Sequence, residues 1–216
     1  MREQPGQQET RGGVVYIVDD DHELCTSLAW LLGSVDIEAL SFSDAASFLD
    51  SYVCDRPACI VLDVRMPELG GFGVQEILSR AGSTIPIIFV SAHGDIRMSV
   101  RALQNGAVDF LEKPYNPQHM LDVVQAALRT ARERFVRESR QRDLQARLDG
   151  LTARELEVLR LVIDGVPSKL IAGRLGISVK TVDVHRIRIR EKSGADSIAT
   201  LMRDVLRLGL RLPDVR

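Results

Sequence analysis

The chain of 216 residues has only three cysteines, and aromatic residues make up 5% of it. Cys25, Cys54 and Cys59 lack the paired spacing of a disulfide framework or a zinc site, so we expect reduced structural thiols. No apolar run approaches the roughly 18 residues that a membrane-spanning helix needs. The polar start at residues 1–13 also lacks the apolar centre of a secretory signal. These absences favour a cytoplasmic protein with a disordered N-terminal tail and no membrane partner.

A net charge of −2 conceals a separation of opposite charges along the chain. Residues 1–128 carry 8 basic against 18 acidic side chains, a net of −10. Residues 129–150 carry 7 against 4, a net of +3, and residues 151–216 carry 13 against 8, a net of +5. The acidic half suits metal binding, and the basic half suits a polyanion.

Four short apolar segments in the first half each end at polar residues; they are 14–21, 60–67, 87–95 and 110–115. Amphipathic segments of helical length separate them, at 23–35, 44–51, 73–80, 96–105 and from 117 onward. A weaker strand fits residues 37–41. This alternation predicts an α/β fold in which a doubly wound, five-stranded parallel sheet has helices on both faces.

The last of these helices continues through residues 129–148 without proline or glycine, which predicts a helical linker. Beyond Gly150 the pattern is all-α, with four helices predicted at 152–164, 168–175, 178–192 and 197–208, each starting at Ser or Thr. Thr152 and Glu155 have capping-box spacing. The predicted domains are therefore a tail at 1–13, an α/β domain at 14–128, a linker at 129–149 and a four-helix domain at 150–216.

Polar side chains at the ends of the predicted strands are expected to meet. Because the carboxyl ends of parallel strands lie at one edge of a sheet, functional groups collect there. The residues concerned are Asp19, Asp20, Asp63, Ser91 and Lys113. Three carboxylates, a hydroxyl and an ammonium group suit a site for a divalent cation and a phosphoryl group.

The chemistry of such a site centres on Asp63. A carboxylate can attack a phosphoryl group and hold it as an acyl phosphate when charge on the phosphoryl oxygens is neutralised. We expect Asp20 and Asp63 to bind Mg²⁺, with support from Asp19 and the backbone carbonyl of Arg65. Lys113 would pair with phosphoryl oxygens, and Ser91 would donate a hydrogen bond to them.

This pattern resembles the receiver domains of bacterial two-component response regulators over about residues 14–128. The matching motifs are Asp19-Asp20, Asp63 before Arg-Met-Pro, Ser91-Ala92 and Lys113-Pro114. The resemblance implies that Asp63 accepts a phosphoryl group from a sensor histidine kinase, that Asp20 and Asp63 bind Mg²⁺, and that Ser91 and Phe110 move as a coupled switch. It implies a phosphoacceptor with at most slow self-dephosphorylation, not an enzyme. Packing in the core is the alternative explanation for Phe110.

The C-terminal domain has helix-turn-helix spacing, formed by residues 170–172, a turn at Gly176 and residues 178–182. Val182 and Ile189, with His185 between them, are predicted to face the core. The candidate DNA-binding residues lie outward or beside them: Lys180, Thr181, Asp183, Val184, Arg186, Ile187, Arg188 and Arg190. Arginines on this helix, together with Lys192, would contact phosphates, whereas Asp183, Val184 and Ile187 would meet base edges.

Residues 151–159, with the Ile171-Ala172 pair and residues 181–186, resemble the LuxR-type DNA-binding domain. With the receiver pattern, they place the chain beside the NarL/FixJ response regulators, and the loop at 92–95 is most similar to FixJ-like members. The resemblance implies a transcription activator that acts with RNA polymerase on double-stranded promoter DNA and forms a homodimer when phosphorylated. Many relatives have Lys where Asp183 and Ile187 stand, which leaves the base preference open.

Two other functions compete with this interpretation. A Mg²⁺-dependent phosphatase or phosphotransferase could use the same aspartate on a small metabolite, but the basic helical domain would then have no role. A DNA-binding regulator could instead use the first domain only for docking, but the complete set of pocket residues argues against that.

Overall fold

The computed structural model describes residues 13–92 and 96–213. The predicted tail, apart from Gly13, and residues 93–95 of the loop at 92–95 lie outside the described residues. The chain divides into two compact units, Met1–Phe135 and Val136–Arg216. Among the described residues, no helix is both long and apolar enough to cross a membrane.

The first unit contains the predicted five-stranded parallel sheet. Its strands are β1 (Val14–Val18), β2 (Glu38–Phe42), β3 (Ala58–Asp63), β4 (Ile87–Ser91) and β5 (Asp109–Glu112). They lie in the order β2-β1-β3-β4-β5, and every neighbouring pair is parallel. From β1 the chain adds β2 on one side of the sheet and then crosses over to add β3 on the other side. At this change in the direction of the connections, a crevice opens beyond the carboxyl ends of β1 and β3.

Helices cover both faces of this sheet: α1 (His22–Gly33), α2 (Ala45–Ser51), α3 (Gly71–Arg80), α4 (Ile96–Gln104) and α5 (Pro117–Asp149). α1 and α5 pack on one face, and α2, α3 and α4 pack on the other. The side chains of β1 alternate between these layers, with Val15 and Ile17 in the first and Val14, Tyr16 and Val18 in the second. Burial on both faces explains why β1, β3 and β4 are almost entirely apolar, whereas the edge strand β2 is partly exposed.

The second unit is helical, with α6 (Ala153–Ile163), α7 (Ser168–Leu175), α8 (Val179–Ser193) and α9 (Ile198–Leu208). Thr152, Ser178 and Ser197 cap α6, α8 and α9, as predicted. α7 starts at Ser168, as predicted, with Pro167 at the cap position and no side-chain cap hydrogen bond. The predicted α/β and all-α fold classes are both confirmed.

α5 contributes residues to both units. Near its middle, Leu128 belongs to the core of the first unit, whereas Leu144 and Leu148 near its end pack in the core of the second. The residues that the sequence assigned to a helical linker therefore also supply apolar side chains to the helical domain.

Glu155 holds two helices of the second unit together. Its carboxylate accepts hydrogen bonds from the Thr152 N–H at 2.8 Å and from the Lys192 ammonium on α8 at 2.7 Å. Burial acts to raise the pKa of Glu155, but these hydrogen bonds outweigh it and hold the pKa below its ordinary value. The carboxylate therefore completes the predicted capping box and also bonds α6 to α8.

Glu155→Ala is expected to destabilise the second unit by about 2 kcal/mol, because both the cap and the ion pair are lost. A carboxyl group with a lowered folded pKa contributes stability above its unfolded pKa and loses it as pH falls through the folded pKa. The difference from wild type should therefore shrink in acid. Hydrogen exchange of the α6 and α8 amides measures this loss of stability. Glu157→Ala is the control, since Glu157 makes a more exposed bridge to Arg154. Equal exchange in both variants would contradict the prediction.

Candidate functional site

The pocket lies in the crevice between the carboxyl ends of β1 and β3. Asp19 follows β1, Asp63 ends β3, and Lys113 follows β5. The Nζ of Lys113 lies 2.5 Å from Asp19 Oδ2 and 2.8 Å from Asp63 Oδ1. The structure thus brings together three of the predicted pocket residues, with the Lys113 ammonium group between the carboxylates of Asp19 and Asp63.

Three carboxylates form an oxygen-rich cluster in this pocket. Asp19, Asp20 and Asp63 each offer an oxygen, and these oxygens lie within 4.8 Å of one another. Asp19 and Asp63 are 1% and 4% exposed, whereas Asp20 is exposed. Because hard divalent cations prefer several oxygen ligands, this donor set fits Mg²⁺. The Arg65 N–H donates to Asp63 Oδ2 at 2.7 Å, and the role of the Arg65 carbonyl as a ligand stays a prediction.

Burial and charge act against each other at the bridged carboxylates. Burial raises the pKa of Asp63 above its ordinary value, although the hydrogen bonds from Lys113 and from the Arg65 N–H act to lower it. Burial acts to lower the pKa of Lys113, but its bonds to Asp19 and Asp63 outweigh that effect and raise it. The Lys113 ammonium group is therefore held in its charged form. A positive charge placed beside Asp63 stabilises its ionised carboxylate.

The loops around the pocket position its side chains. Asp21 caps α1 through a hydrogen bond from the Leu24 N–H, and its own N–H donates to Asp19 Oδ1 at 3.0 Å. After β3, a Cβ on Gly71 would lie 2.4 Å from the Asp63 carbonyl oxygen. Glycine is therefore required where α3 begins against the backbone of Asp63.

The two predicted switch residues lie on neighbouring strands. Ser91 ends β4 and is buried, and its carbonyl accepts a hydrogen bond from the Lys113 N–H at 2.9 Å. Phe110 lies on β5, is half-buried, and packs on the face that α4 covers. Its role as a switch stays a prediction. His93, in the loop at 92–95, lies outside the described residues.

The second candidate site is the outer surface of α8. Val182 and Ile189 are fully buried, and His185 between them is half-buried. The remaining sides of the helix expose six of the eight candidate DNA-binding residues: Lys180, Asp183, Val184, Ile187, Arg188 and Arg190. Four of these carry charge and two are apolar, so the surface offers both phosphate contacts and apolar contacts.

Two candidate DNA-binding residues are half-buried, and their polar groups bond within the domain. The Thr181 hydroxyl lies 2.8 Å from Ser178 Oγ at the start of α8. Arg186 donates to Ser168 Oγ at 3.2 Å, which connects α8 to the start of α7. Lys192, expected to contact phosphate, instead bonds Glu155. The bonds of Arg186 and Lys192 join α8 to other helices, so no local sequence pattern indicates them.

Comparison with known families identifies both units. Residues 15–125 match the family described as response regulator receiver domain, and residues 149–204 match the family described as bacterial regulatory proteins, luxR family. These families are regulators rather than metabolite enzymes.

Individual relatives match over both units. The transcriptional regulatory protein TdiR of Thauera aromatica is 43% identical over 203 residues, which cover 93% of this chain and 89% of the relative. The transcriptional regulatory protein FixJ of Bradyrhizobium diazoefficiens is 36% identical over 93% of this chain and 98% of its own. A solved structure of the response regulator StyR is 40% identical, covers 91% of this chain and 99% of its own, and has a TM-score of 0.81. The chain therefore belongs to the two-component response regulators that join a receiver domain to a LuxR-type DNA-binding domain, a family that implies a histidine kinase and DNA as partners.

Proposed function

We propose that Asp63 is the phosphoacceptor and that its phosphorylation by a sensor histidine kinase controls DNA binding by the C-terminal domain. The observation that carries the proposal is the Lys113 ammonium group held between the buried carboxylates of Asp19 and Asp63. A cation fixed against a strand-end carboxylate is the arrangement that acyl phosphate formation needs.

The proposed transfer uses the side chains of the pocket directly. An oxygen of the Asp63 carboxylate attacks phosphorus of a phosphohistidine, the phosphorus–nitrogen bond breaks, and its electron pair returns to the imidazole ring. Lys113 offsets negative charge on the phosphoryl oxygens. Asp19, Asp20 and Asp63 would hold Mg²⁺, which would supply further positive charge beside those oxygens. Ser91 donates its hydroxyl hydrogen to the phosphoryl group.

The response to phosphorylation is proposed to reach α4 and the adjoining end of β5. α4 exposes the apolar side chains of Ile96, Val100 and Leu103, of which Ile96 is 82% exposed. Val108, just before β5, is also exposed. Apolar side chains grouped on a charged helix suit contact with another protein surface. We propose that a second copy of the chain covers them after phosphorylation, since a dimer presents two α8 helices to paired DNA half-sites.

Beryllofluoride, a phosphoryl analogue, tests the proposal on the full chain with Mg²⁺. Sedimentation is expected to show conversion of monomer to dimer, and footprinting is expected to show protection extended to two half-sites with higher affinity, because binding becomes bivalent. Val100→Asp is the control, since it places a charge in the proposed dimer surface and should block conversion. Unchanged sedimentation and an unchanged footprint of the wild type would contradict the proposal. We further propose activation with RNA polymerase, which run-off transcription from a footprinted promoter tests.

The outer surface of α8 predicts two kinds of DNA-binding defect. Arg188→Ala is expected to weaken binding to all sequences by a similar factor and to reduce the salt slope by about 1, because one phosphate contact is lost. Ile187→Ala should instead change the ranking of operator variants, because an apolar contact to a base is lost. Binding measured across salt concentrations distinguishes them. Arg203→Ala on α9 is the control, and an equal loss in that variant would argue against a specific role for α8.

A further inference from the structure

Two side-chain contacts join α4 to α3. The Arg101 guanidinium carbon on α4 lies 4.7 Å from the centre of the Phe72 ring on α3. Gln75 on α3 is buried, and its Nε2 donates to the carbonyl of Asn105 at 3.2 Å and to that of Ala102 at 3.5 Å. The first contact is a cation–π interaction, and the second satisfies carbonyls at the C-terminal end of α4. We call Phe72, Gln75 and Arg101 the α3–α4 latch.

The latch is continuous with the phosphoacceptor strand. The Phe72 ring lies 5.0 Å from that of Phe89 on β4, and Phe89 lies 6.5 Å from Phe110 on β5, centre to centre. Next to Phe72, Gly71 packs so closely on the Asp63 backbone that no Cβ fits between them. A row of rings thus connects the start of α3, beside Asp63, with the predicted switch residue and with Arg101.

The latch fixes the helix that carries the exposed apolar surface. Arg101 follows Val100 directly, and Leu103 lies two residues further along α4. In the same structure Lys113 is bonded to Asp63 Oδ1. The latch contacts therefore stabilise α4 in the arrangement in which Lys113 bonds Asp63.

We infer that the α3–α4 latch opposes dimerisation until Asp63 is phosphorylated, with Arg101 as a positioning residue that acts through the Phe72 ring. The inference rests on the proposed function, in which α4 forms the dimer surface. A weaker latch lowers the stability of the arrangement that opposes dimerisation. The dimer should therefore form at a lower concentration of phosphoryl analogue.

The test measures dimerisation of the full chain by sedimentation while beryllofluoride is titrated at fixed Mg²⁺. Arg101→Met keeps much of the side-chain length and removes the charge, and it is expected to lower the midpoint roughly two- to five-fold, the range of an exposed cation–π contact. Arg101→Lys keeps a cation over the ring and should restore a midpoint close to that of wild type. Gln75→Leu should shift the midpoint in the same direction as Arg101→Met.

A second set of chains separates action through Phe72 from a direct effect at the dimer surface. In a Phe72→Leu background, Arg101→Met is expected to have no further effect, because the ring on which it acts is gone. An effect that persists in that background would place Arg101 in the interface itself and overturn the latch. If the wild-type chain dimerises and Arg101→Met has the same midpoint as wild type, the latch would be overturned, but the proposed dimerisation would stand. A wild-type chain that stays monomeric would overturn both proposals.

Discussion

Asp63→Asn is expected to abolish labelling of the chain by acetyl phosphate and by a phosphorylated histidine kinase. An amide has no carboxylate oxygen to attack phosphorus, and Asp19, the other buried carboxylate of the pocket, is bonded to Lys113 and to the Asp21 N–H. The measurement is the stoichiometry of label that hydroxylamine removes, since acyl phosphates are cleaved by that reagent. Asp50→Asn, an exposed carboxylate on α2, is the matched control and should be labelled like wild type.

The same substitution is expected to stabilise the receiver domain at neutral pH, so that lost labelling cannot be attributed to unfolding. Because burial raises the pKa of Asp63, ionisation costs folding free energy as pH rises from the unfolded pKa through the folded one. Asparagine does not ionise, so its advantage should be present at neutral pH and vanish in acid. All three tyrosines belong to the receiver domain, so near-UV circular dichroism of the full chain follows that domain. Residual stoichiometric label, or a lower melting temperature at pH 7, would contradict these expectations.

The sequence was sufficient to predict the sheet and the meeting of Asp19, Asp63 and Lys113 because one physical rule governs both. Strands covered on both faces must be apolar along their length, so the first polar residue marks a strand end. Parallel strands then place those ends at a single edge. The strands at 14–18 and 58–63 show this most clearly, since every residue from Val14 to Val18 is buried.

Contacts between segments that are distant in the chain could not be predicted from local sequence patterns. The bond from Lys192 to Glu155 joins side chains 37 positions apart, and no local periodicity distinguishes Lys192 from the exposed arginines of the same helix. Gly71 is a similar case. Glycine is required there because a Cβ would collide with the Asp63 carbonyl oxygen, which comes close only when α3 packs against β3. Arg101 over Phe72 likewise depends on the packing of two helices.

Lys113→Met is expected to destabilise the receiver domain by about 3–5 kcal/mol in buffer without divalent cations, the cost of removing one partner from a buried ion pair. The ammonium group bonds Asp19 and Asp63, both almost fully buried, and methionine leaves these two carboxylates close together without a cation. Their mutual repulsion adds to the cost of burial. The loss should shrink as pH falls and the carboxyl groups become protonated. Urea unfolding followed by the tyrosine near-UV signal measures it.

Added Mg²⁺ separates this electrostatic explanation from a simple loss of packing. A cation bound by Asp19, Asp20 and Asp63 replaces the missing positive charge, so the Lys113→Met chain should gain more stability from Mg²⁺ than wild type does. Combining it with Asp63→Asn should relieve most of the cost, because one of the two carboxylates is then neutral. Arg80→Met is the control: it breaks an exposed bridge to Glu76 and should cost at most about 0.5 kcal/mol, with no response to Mg²⁺. If Lys113→Met were as stable as wild type without Mg²⁺, Lys113 would not be the group that offsets the pocket's negative charge, and the proposed phosphoryl transfer would lose its fixed cation.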